Sequence, residues 1–181
     1  EGIGEAGMME VPIVVVNVQR AGPSTGVPTK TEQGDLWQVL GASQGDFPKL
    51  ILAPSSPLDG FQTIPEVFNL TDKYQLPAII LSDLLISDET STIDPKLLGM
   101  HPIIDRGELI TEAGEEAGTY ERYKFTDSGI SPRALPGIPG YEHVVASDEH
   151  MPSGVLISDE FTHPHKRRAM MDKRQRKMDG L

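Results

Sequence analysis

Three short apolar runs, each followed by a polar segment, constrain the fold of this chain more than any other feature of its sequence. They are residues 11–18, 49–53 and 77–82. The first is a nearly continuous β-branched run, typical of a strand buried on both faces of a parallel sheet. Helical segments lie between the runs, which gives the order β–α–β–α–β. The sequence therefore predicts an α/β fold with a parallel sheet and flanking helices.

The two connecting segments carry helix start and stop signals. The first helix is predicted to begin near Asp35, with acidic residues around its first turn, and to stop near Gly41. The second is predicted over residues 58–75, because Ser56 and the proline after it supply cap and first-turn chemistry. Pro65 lies inside this second segment and predicts a kink or a break.

The character of the sequence changes after residue 86. Residues 87–159 are rich in Pro, Gly, Ser, Asp and Glu, which predicts an irregular arm with short hairpin strands near residues 120–126. Residues 160–181 predict a basic C-terminal helix with a solvated face, or alternatively a subunit or domain contact. The chain opens without a cap, so we expect a piece of a longer polypeptide. Residues 1–86 would be the carboxyl-terminal part of a domain, and the basic helix would lead into a following domain.

The composition argues against several classes of function. The formal net charge of -11 makes binding to nucleic acid or an anionic membrane unfavourable. No apolar run approaches the roughly 20 residues of a membrane helix. The chain has no cysteine, so it supplies neither a disulfide nor thiolate ligands for an iron–sulfur cluster. We expect a cytoplasmic protein. His143 and His150 lie among acidic residues, but their spacing fixes no ligand geometry, and we predict no metal site in this chain.

The loop after the first run has the composition of an anion site. It lies at the carboxyl end of a predicted strand, where parallel α/β sheets bind ligands. Its two glycines let backbone N–H groups approach a ligand, and Arg20 offers a donor fork that matches a carboxylate or phosphate. A helix N-terminus after the loop would favour negative charge. Asp83 ends the third run and either points toward this site or caps a helix. A purely structural turn is the alternative for the loop.

Two familiar phosphate-binding loops do not fit. A Walker A loop requires G-x-x-x-x-G-K-[ST], whereas Gly22 and Gly26 are separated by three residues and Lys30 is not next to a glycine. Residues 2–7 match G-x-G-x-x-G, but they precede a predicted strand instead of following one. The loop is therefore neither a P-loop nor a dinucleotide fingerprint.

The stretch QRAGPSTGVPTKTEQGDL, residues 19–36, is similar to the α subunits of 2-oxoacid:ferredoxin oxidoreductases. Within that family PSTG-x-PTKTEQGDL resembles the 2-oxoglutarate (2-oxoglutarate synthase) type, since branched-chain enzymes carry a different loop. The resemblance continues through KYQLPAIILSDLL, GISPRALPG and RRAMMDKRQRKM. It covers nearly the whole chain.

The resemblance implies a thiamine-diphosphate pyrimidine-binding fold whose amino-terminal part is missing here. It implies an enzyme that oxidatively decarboxylates a 2-oxo acid, joins the acyl group to coenzyme A and reduces ferredoxin. The implied cofactors are thiamine diphosphate, Mg²⁺ and a [4Fe–4S] cluster, the latter two mainly on a β subunit in an (αβ)2 assembly. The alternatives are action on pyruvate or a broad 2-oxo acid range, and a non-catalytic anion-binding or assembly module.

Site residues follow from the same resemblance. Arg20 corresponds to the residue that faces the substrate carboxylate, and Thr29 corresponds to a hydroxyl residue lining the same pocket. The glutamate that activates thiamine would lie upstream of Glu1, so we assign no catalytic residue to this chain. The supporting, substrate-binding loop corresponds to Gly22, Pro23, Ser24, Thr25 and Gly26.

Overall fold

A three-stranded parallel sheet forms the centre of the computed structural model, which describes residues 1–99, 102–157 and 163–181. Its strands are β1 (Ile13–Gln19), β2 (Leu50–Leu52) and β3 (Pro77–Asp83). The order across the sheet is β1–β3–β2, so β3 is the central strand. The three apolar runs of the sequence therefore form the three strands, and the predicted α/β class is confirmed.

Helices precede, connect and follow the strands. The α-helices are α1 (Gly2–Met8), α2 (Leu36–Leu40), α3 (Pro57–Tyr74), α4 (Leu84–Asp88) and α5 (Pro164–Arg176). Two 3-10 helices cover Pro95–Leu98 and Lys177–Gly180, and two further short strands are β4 (Leu109–Ile110) and β5 (Arg133–Ala134). Within residues 1–99, 102–157 and 163–181, no helix is both long enough and apolar enough to cross a membrane.

The core lies on both faces of the sheet because β3 alternates its side chains between them. On one face, Ile79 and Leu81 pack with Val39 of α2. On the other face, Ala78 and Ile80 pack with Val67 of α3. The sheet is thus a middle layer between helices, as the βαβ pattern requires.

The prediction that the first strand is buried on both faces is wrong. Val16 is 55% exposed and Val18 is 48% exposed, whereas β3 is buried along nearly its whole length. The reason is position in the sheet: β1 is hydrogen-bonded only to β3 within the described part of the chain. An apolar run specifies a strand, but its neighbours decide how much of it is covered.

The helix α3 begins as its sequence predicts and passes through its proline. The Ser56 hydroxyl accepts a hydrogen bond from the Asp59 N–H at 3.1 Å, and Pro57 occupies the first turn. Contrary to the predicted break, the helix is continuous through Pro65. Val67 and Thr71 on the following turns are buried, and we attribute the continuity to the packing of these turns on the sheet.

Most described residues between 87 and 157 form turns and irregular segments, and the expected hairpin strands are absent from residues 120–126. The short strands lie elsewhere, where β4 pairs with β5 in parallel. Tyr123 is fully buried, and its ring packs 4.0 Å from that of His150, centroid to centroid. Within this segment Tyr123 thus packs in the core of the arm, whereas Phe125 is 45% exposed.

The basic helix α5 begins at Pro164, and residues 160–162 of the predicted helix region lie outside the described residues, as do residues 158–159 of the arm. A solvated face fits Arg168, whose side chain is 84% exposed. It is wrong for Lys173, Arg174 and Lys177, which are buried. Both lysines contact the carboxylate of Glu10, each at 2.6 Å. We call Glu10, Lys173 and Lys177 the Glu10 cluster.

Candidate functional site

The loop over residues 20–34 leaves the carboxyl end of β1 and closes first into a tight turn. The Val27 N–H donates to the Ala21 carbonyl at 3.1 Å, and the Gly26 N–H donates to the Pro23 carbonyl at 3.0 Å. Gly26 has φ +52°, and a Cβ atom there would lie 1.8 Å from the Ala21 oxygen. Only glycine fits this position without moving the backbone. The turn is therefore specified by the sequence and not by packing.

Two non-glycine residues of the loop adopt left-handed backbone conformations. Ser24 has φ 54° and Thr29 has φ 62°. A β-branched residue rarely adopts this region, because its Cβ approaches the following carbonyl. Such strained positions are concentrated at functional sites in proteins. Because Thr29 is β-branched, its left-handed conformation is the stronger indication of a functional role in this loop.

Two anchors return the end of the loop to the sheet. At β1, the Asp35 N–H donates to Gln19 Oε1 at 3.1 Å, and Asn17 Nδ2 donates to Asp35 Oδ2 at 2.9 Å. At β3, Gln33 Nε2 donates to Asp83 Oδ2 at 2.7 Å. The loop is thus tied to the carboxyl ends of two neighbouring strands.

Asp83 combines the two roles that its place in the sequence left open. Its Oδ1 accepts the Ile86 N–H at 2.9 Å and so caps α4, while its Oδ2 faces the loop. The hydrogen bond from Gln33, followed by that from Ile86, lowers the pKa of Asp83, so this side chain is a carboxylate at neutral pH. Asp83 is only 2% exposed.

The loop residues that the resemblance assigned to substrate lie on the surface. Arg20, Thr29 and the supporting set are exposed, and Arg20 makes no hydrogen bond or ion pair with any described residue. Thr29 lies beside a cavity of about 310 Å³ between the second half of the loop and α4. Arg20 is not part of that lining. The cavity is lined by Thr29, Lys30, Thr31, Leu84, Leu85, Asp88 and Glu89.

The expectation that a helix N-terminus adds positive potential at this site is not met. The helix after the loop, α2, has five residues, and its N-cap is Asp35. One turn carries little dipole, and a carboxylate at its start opposes a bound anion. Positive charge in the loop therefore comes from the side chains of Arg20 and Lys30.

The residues that hold the loop were not predicted from the sequence: they are Asn17, Gln19 and Gln33. A signal was present, since Asn17 and Gln19 are polar residues two apart in an otherwise apolar strand and so point to one face. Gln19 is buried, which requires a polar partner. Gln33 carried no signal of its own, because its partner Asp83 is 50 residues away.

The two histidines of the arm hold structural positions. His143 Nδ1 lies 3.0 Å from the Tyr141 carbonyl oxygen, and His150 Nδ1 lies 3.0 Å from the Asp148 carbonyl oxygen. Burial lowers the pKa of His150. Among the residues that the structure describes, no three His, Asp or Glu side chains are grouped as metal ligands would be.

Comparison with known proteins gives consistent matches. Residues 1–170 match the family model described as pyruvate flavodoxin/ferredoxin oxidoreductase, thiamine diP-binding. The chain is 38% identical over 180 residues to the 2-oxoacid:ferredoxin oxidoreductase 1, subunit alpha, of Sulfurisphaera tokodaii, covering 99% of this chain and 27% of that protein. It is 37% identical over 182 residues to the 2-oxoglutarate oxidoreductase subunit KorA of Mycobacterium tuberculosis, covering 100% of this chain and 27% of that protein.

A solved structure shares the fold. It is the 2-oxoglutarate:ferredoxin oxidoreductase of Magnetococcus marinus, determined with 2-oxoglutarate, coenzyme A and succinyl-CoA bound. The TM-score is 0.78 at 33% identity, and the match covers 100% of this chain and 31% of that one. The chain therefore spans between a quarter and a third of the length of these relatives.

Proposed function

The chain belongs to the pyruvate flavodoxin/ferredoxin oxidoreductase, thiamine-diphosphate-binding family, and we propose that it is part of the α subunit of a 2-oxoglutarate:ferredoxin oxidoreductase. That enzyme oxidatively decarboxylates 2-oxoglutarate, forms succinyl-CoA and passes electrons to ferredoxin. Residues 1–86 would be part of the pyrimidine-binding domain. The observation that carries the proposal is the loop at the carboxyl edge of the sheet, which presents Arg20 and a strained Thr29.

Arg20 and Thr29 are the proposed substrate-binding residues. The guanidinium of Arg20 offers paired donors that match a carboxylate. It makes no hydrogen bond or ion pair with any described side chain. The Thr29 hydroxyl can donate to an oxygen of the same substrate. The tight turn through Gly22, Pro23 and Gly26 holds these two donors on one loop. Holding the acid at both ends of this turn would orient its carbonyl carbon for attack.

The donor set of this chain fits an oxo acid better than a diphosphate. A diphosphate needs several cations or free backbone N–H groups, whereas Asp35 stands at the start of α2, and Asp88 and Glu89 line the nearby cavity. Thiamine diphosphate, when bound, supplies the carbon nucleophile for the 2-oxo carbon. We propose that the β subunit holds its diphosphate and the Mg²⁺, and that it also carries the [4Fe–4S] cluster. This chain has no cysteine to ligate a cluster, which agrees with that division.

The proposal extends to assembly and setting. The site would be completed by the β subunit in an (αβ)2 enzyme that takes coenzyme A as co-substrate and ferredoxin as electron acceptor. We place this enzyme in the cytoplasm. The absence of cysteine agrees with that setting.

Substitution of Arg20 tests the proposal in the complete enzyme. The assay contains α and β subunits, 2-oxoglutarate, coenzyme A and a viologen dye. In it, Arg20→Ala should raise KM and lower kcat/KM. The loss of transition-state stabilisation should be roughly 2–4 kcal/mol, since a charged contact to the substrate is lost. Arg168→Ala is the matched control. Arg168 is an exposed arginine of α5, a helix that contacts Glu10 ahead of the amino end of β1. Equal kinetics for Arg20→Ala and the control would remove Arg20 from the site.

A broader 2-oxo acid range is the second candidate. It is favoured by the Sulfurisphaera tokodaii relative, whose name specifies 2-oxo acids in general, at an identity similar to that of the 2-oxoglutarate relative. The values of kcat/KM for 2-oxoglutarate and pyruvate separate the two. A ratio near one would favour the broad enzyme, and an enzyme with no turnover of either acid would favour a non-catalytic module.

A further inference from the structure

We infer that Gln33 and Asp83 are positioning residues: their hydrogen bond fixes the second half of the 20–34 loop against α4 and thereby sets the place of Thr29 beside the substrate. This inference rests on the proposed function, because it assigns the bond a role in binding the 2-oxo acid. It concerns a contact within this chain, between a loop residue and the last residue of β3, at 2.7 Å.

The second half of the loop has little else to hold it. From residue 28 to residue 32, no hydrogen bond or ion pair to another described residue is present. The turn closed by Ala21 and Val27 ends two residues before Thr29, and Gln33 follows four residues after it. All the side chains between are exposed. The position of Thr29 therefore depends on the two contacts that bracket it.

Asp83 is suited to act as the fixed end of this contact. It pairs in register with Gln19, so it lies at the same edge of the sheet as the start of the loop. Its carboxylate is buried and is held by the Ile86 N–H at the first turn of α4. A buried carboxylate with two partners has one orientation, and its second oxygen is presented to the loop.

One carboxylate thus sets both walls of the cavity beside Thr29. Through Ile86 it fixes α4, whose Leu84, Leu85 and Asp88 form one wall. Through Gln33 it fixes the loop segment that carries Thr29, and this segment forms the other wall. Release of the bond leaves α4 capped but frees the loop. A substrate that needs the fixed loop then binds more weakly, in proportion to the fraction of molecules that still hold it.

A reversal of the hydrogen bond tests this role in the complete enzyme with its β subunit. Gln33→Glu places a carboxylate against Asp83 and breaks the contact by repulsion. Adding Asp83→Asn restores it with the opposite polarity: the new carboxamide donates to the new carboxylate, while its oxygen still caps α4. Gln38→Glu is the matched control, the same chemical change at an exposed position of α2.

Two measurements separate the contact from its role in binding. Tryptic cleavage after Lys30 reports whether the loop is held, without reference to activity. The KM values for 2-oxoglutarate and coenzyme A, with kcat, report whether the held loop serves the oxo acid. We expect Gln33→Glu to speed cleavage and to raise the KM for 2-oxoglutarate about tenfold, if the freed loop is held in about a tenth of the molecules. The KM for coenzyme A, and kcat at saturating substrate, should change little. The double variant should restore both readouts, and Gln38→Glu should alter neither.

Other outcomes overturn the inference. Faster cleavage with an unchanged KM for 2-oxoglutarate would show that the bond holds the loop but not the substrate, and Arg20→Ala would then decide the proposed function by itself. A raised KM that the double variant does not restore would show that Gln33 acts in another way. If the double variant does not assemble, Gln33→Met removes the donor without adding charge. An unchanged cleavage rate or KM in that variant would overturn the inference equally.

Discussion

At the residue scale, the backbone of Thr29 is strained, and we expect the role of its hydroxyl in substrate binding to offset that cost. Its φ of 62° costs a β-branched residue roughly 1–2 kcal/mol, a cost that glycine does not incur. We therefore expect Thr29→Gly to leave the free energy of unfolding unchanged or raise it by up to about 1 kcal/mol, after the larger chain entropy of glycine is counted. The same variant should lose roughly tenfold in kcat/KM, because the hydroxyl is absent.

The matched control for this residue lies two positions further on. Thr31 is exposed in the same loop but is not in a left-handed conformation. Thr31→Gly should therefore lower the free energy of unfolding by roughly 0.5–1 kcal/mol. Urea unfolding and steady-state kinetics of the two variants measure both quantities. A stability loss in Thr29→Gly as large as that in Thr31→Gly would mean that position 29 is not strained.

At the scale of elements, local signals located the three strands of the sheet and the helices between them, but not α1, α4, β4 or β5. The apolar runs located β1, β2 and β3, and Ser56 with Pro57 located the start of α3. These signals are local, because caps and periodicity act within one element. Exposure of β1, continuity through Pro65 and the contact between Gln33 and Asp83 depend on residues far away in sequence. The glycine turn of the loop was predictable for the same reason that β1 was, since its chemistry is local.

In helix α5, too, the helical structure follows from local sequence, whereas the burial follows from residues distant in the chain. Its basic composition predicted a helix, but its burial depends on the arm, where Gly129 approaches it closely. A Cβ atom on Gly129 would lie 2.2 Å from the Lys173 carbonyl oxygen. Gly129→Ala should therefore displace α5 and lower the free energy of unfolding by roughly 3 kcal/mol or more, through overpacking and backbone strain together.

Gly118 supplies the control for that substitution. Its φ of +82° is close to the +78° of Gly129, but a Cβ atom there meets no atom within 4 Å. Gly118→Ala thus includes the backbone cost, roughly 1–2 kcal/mol, without the collision. The difference between the two variants in urea unfolding isolates the docking of α5. Equal losses would mean that the helix does not rest on Gly129.

At the scale of the whole molecule, the two ends of the sheet serve different purposes. The carboxyl ends of β1 and β3 carry the loop with Arg20, Thr29 and the contact between Gln33 and Asp83. Just ahead of the amino end of β1, the Glu10 cluster joins this part of the chain to α5, and the Arg122 guanidinium donates to the Glu10 carbonyl at 2.9 Å. The contact between this end of the sheet and the C-terminal segment is therefore made by buried charges that lie up to 167 positions apart in the chain.

The Glu10 cluster should make the stability of the chain depend on acid. Burial alone would raise the pKa of Glu10, but Lys177 and Lys173 together lower it from its usual 4.5 to about 2. A carboxyl whose pKa is lower in the folded state stabilises fully above the unfolded value, and this stabilisation is lost as pH falls from about 4.5 toward 2. The loss should reach about 3 kcal/mol, from 1.36 kcal/mol per pKa unit.

Comparison with Glu10→Gln separates the contribution of Glu10 to the free energy of unfolding from that of all other carboxylates. Near pH 7 the substitution should lower the free energy of unfolding by roughly 3–5 kcal/mol, because two buried ammonium groups lose their counter-charge. Between about pH 4.5 and pH 2 the carboxyl of the unfolded wild-type chain takes up a proton while the folded one does not, so the gap between the two proteins should narrow steadily as pH falls. Glu5→Gln, an exposed change of the same charge on α1, should show only a small gap at every pH. If the gap for Glu10→Gln stayed constant between pH 6 and 2.5 in urea unfolding, the charge of Glu10 would not contribute to holding the two lysines.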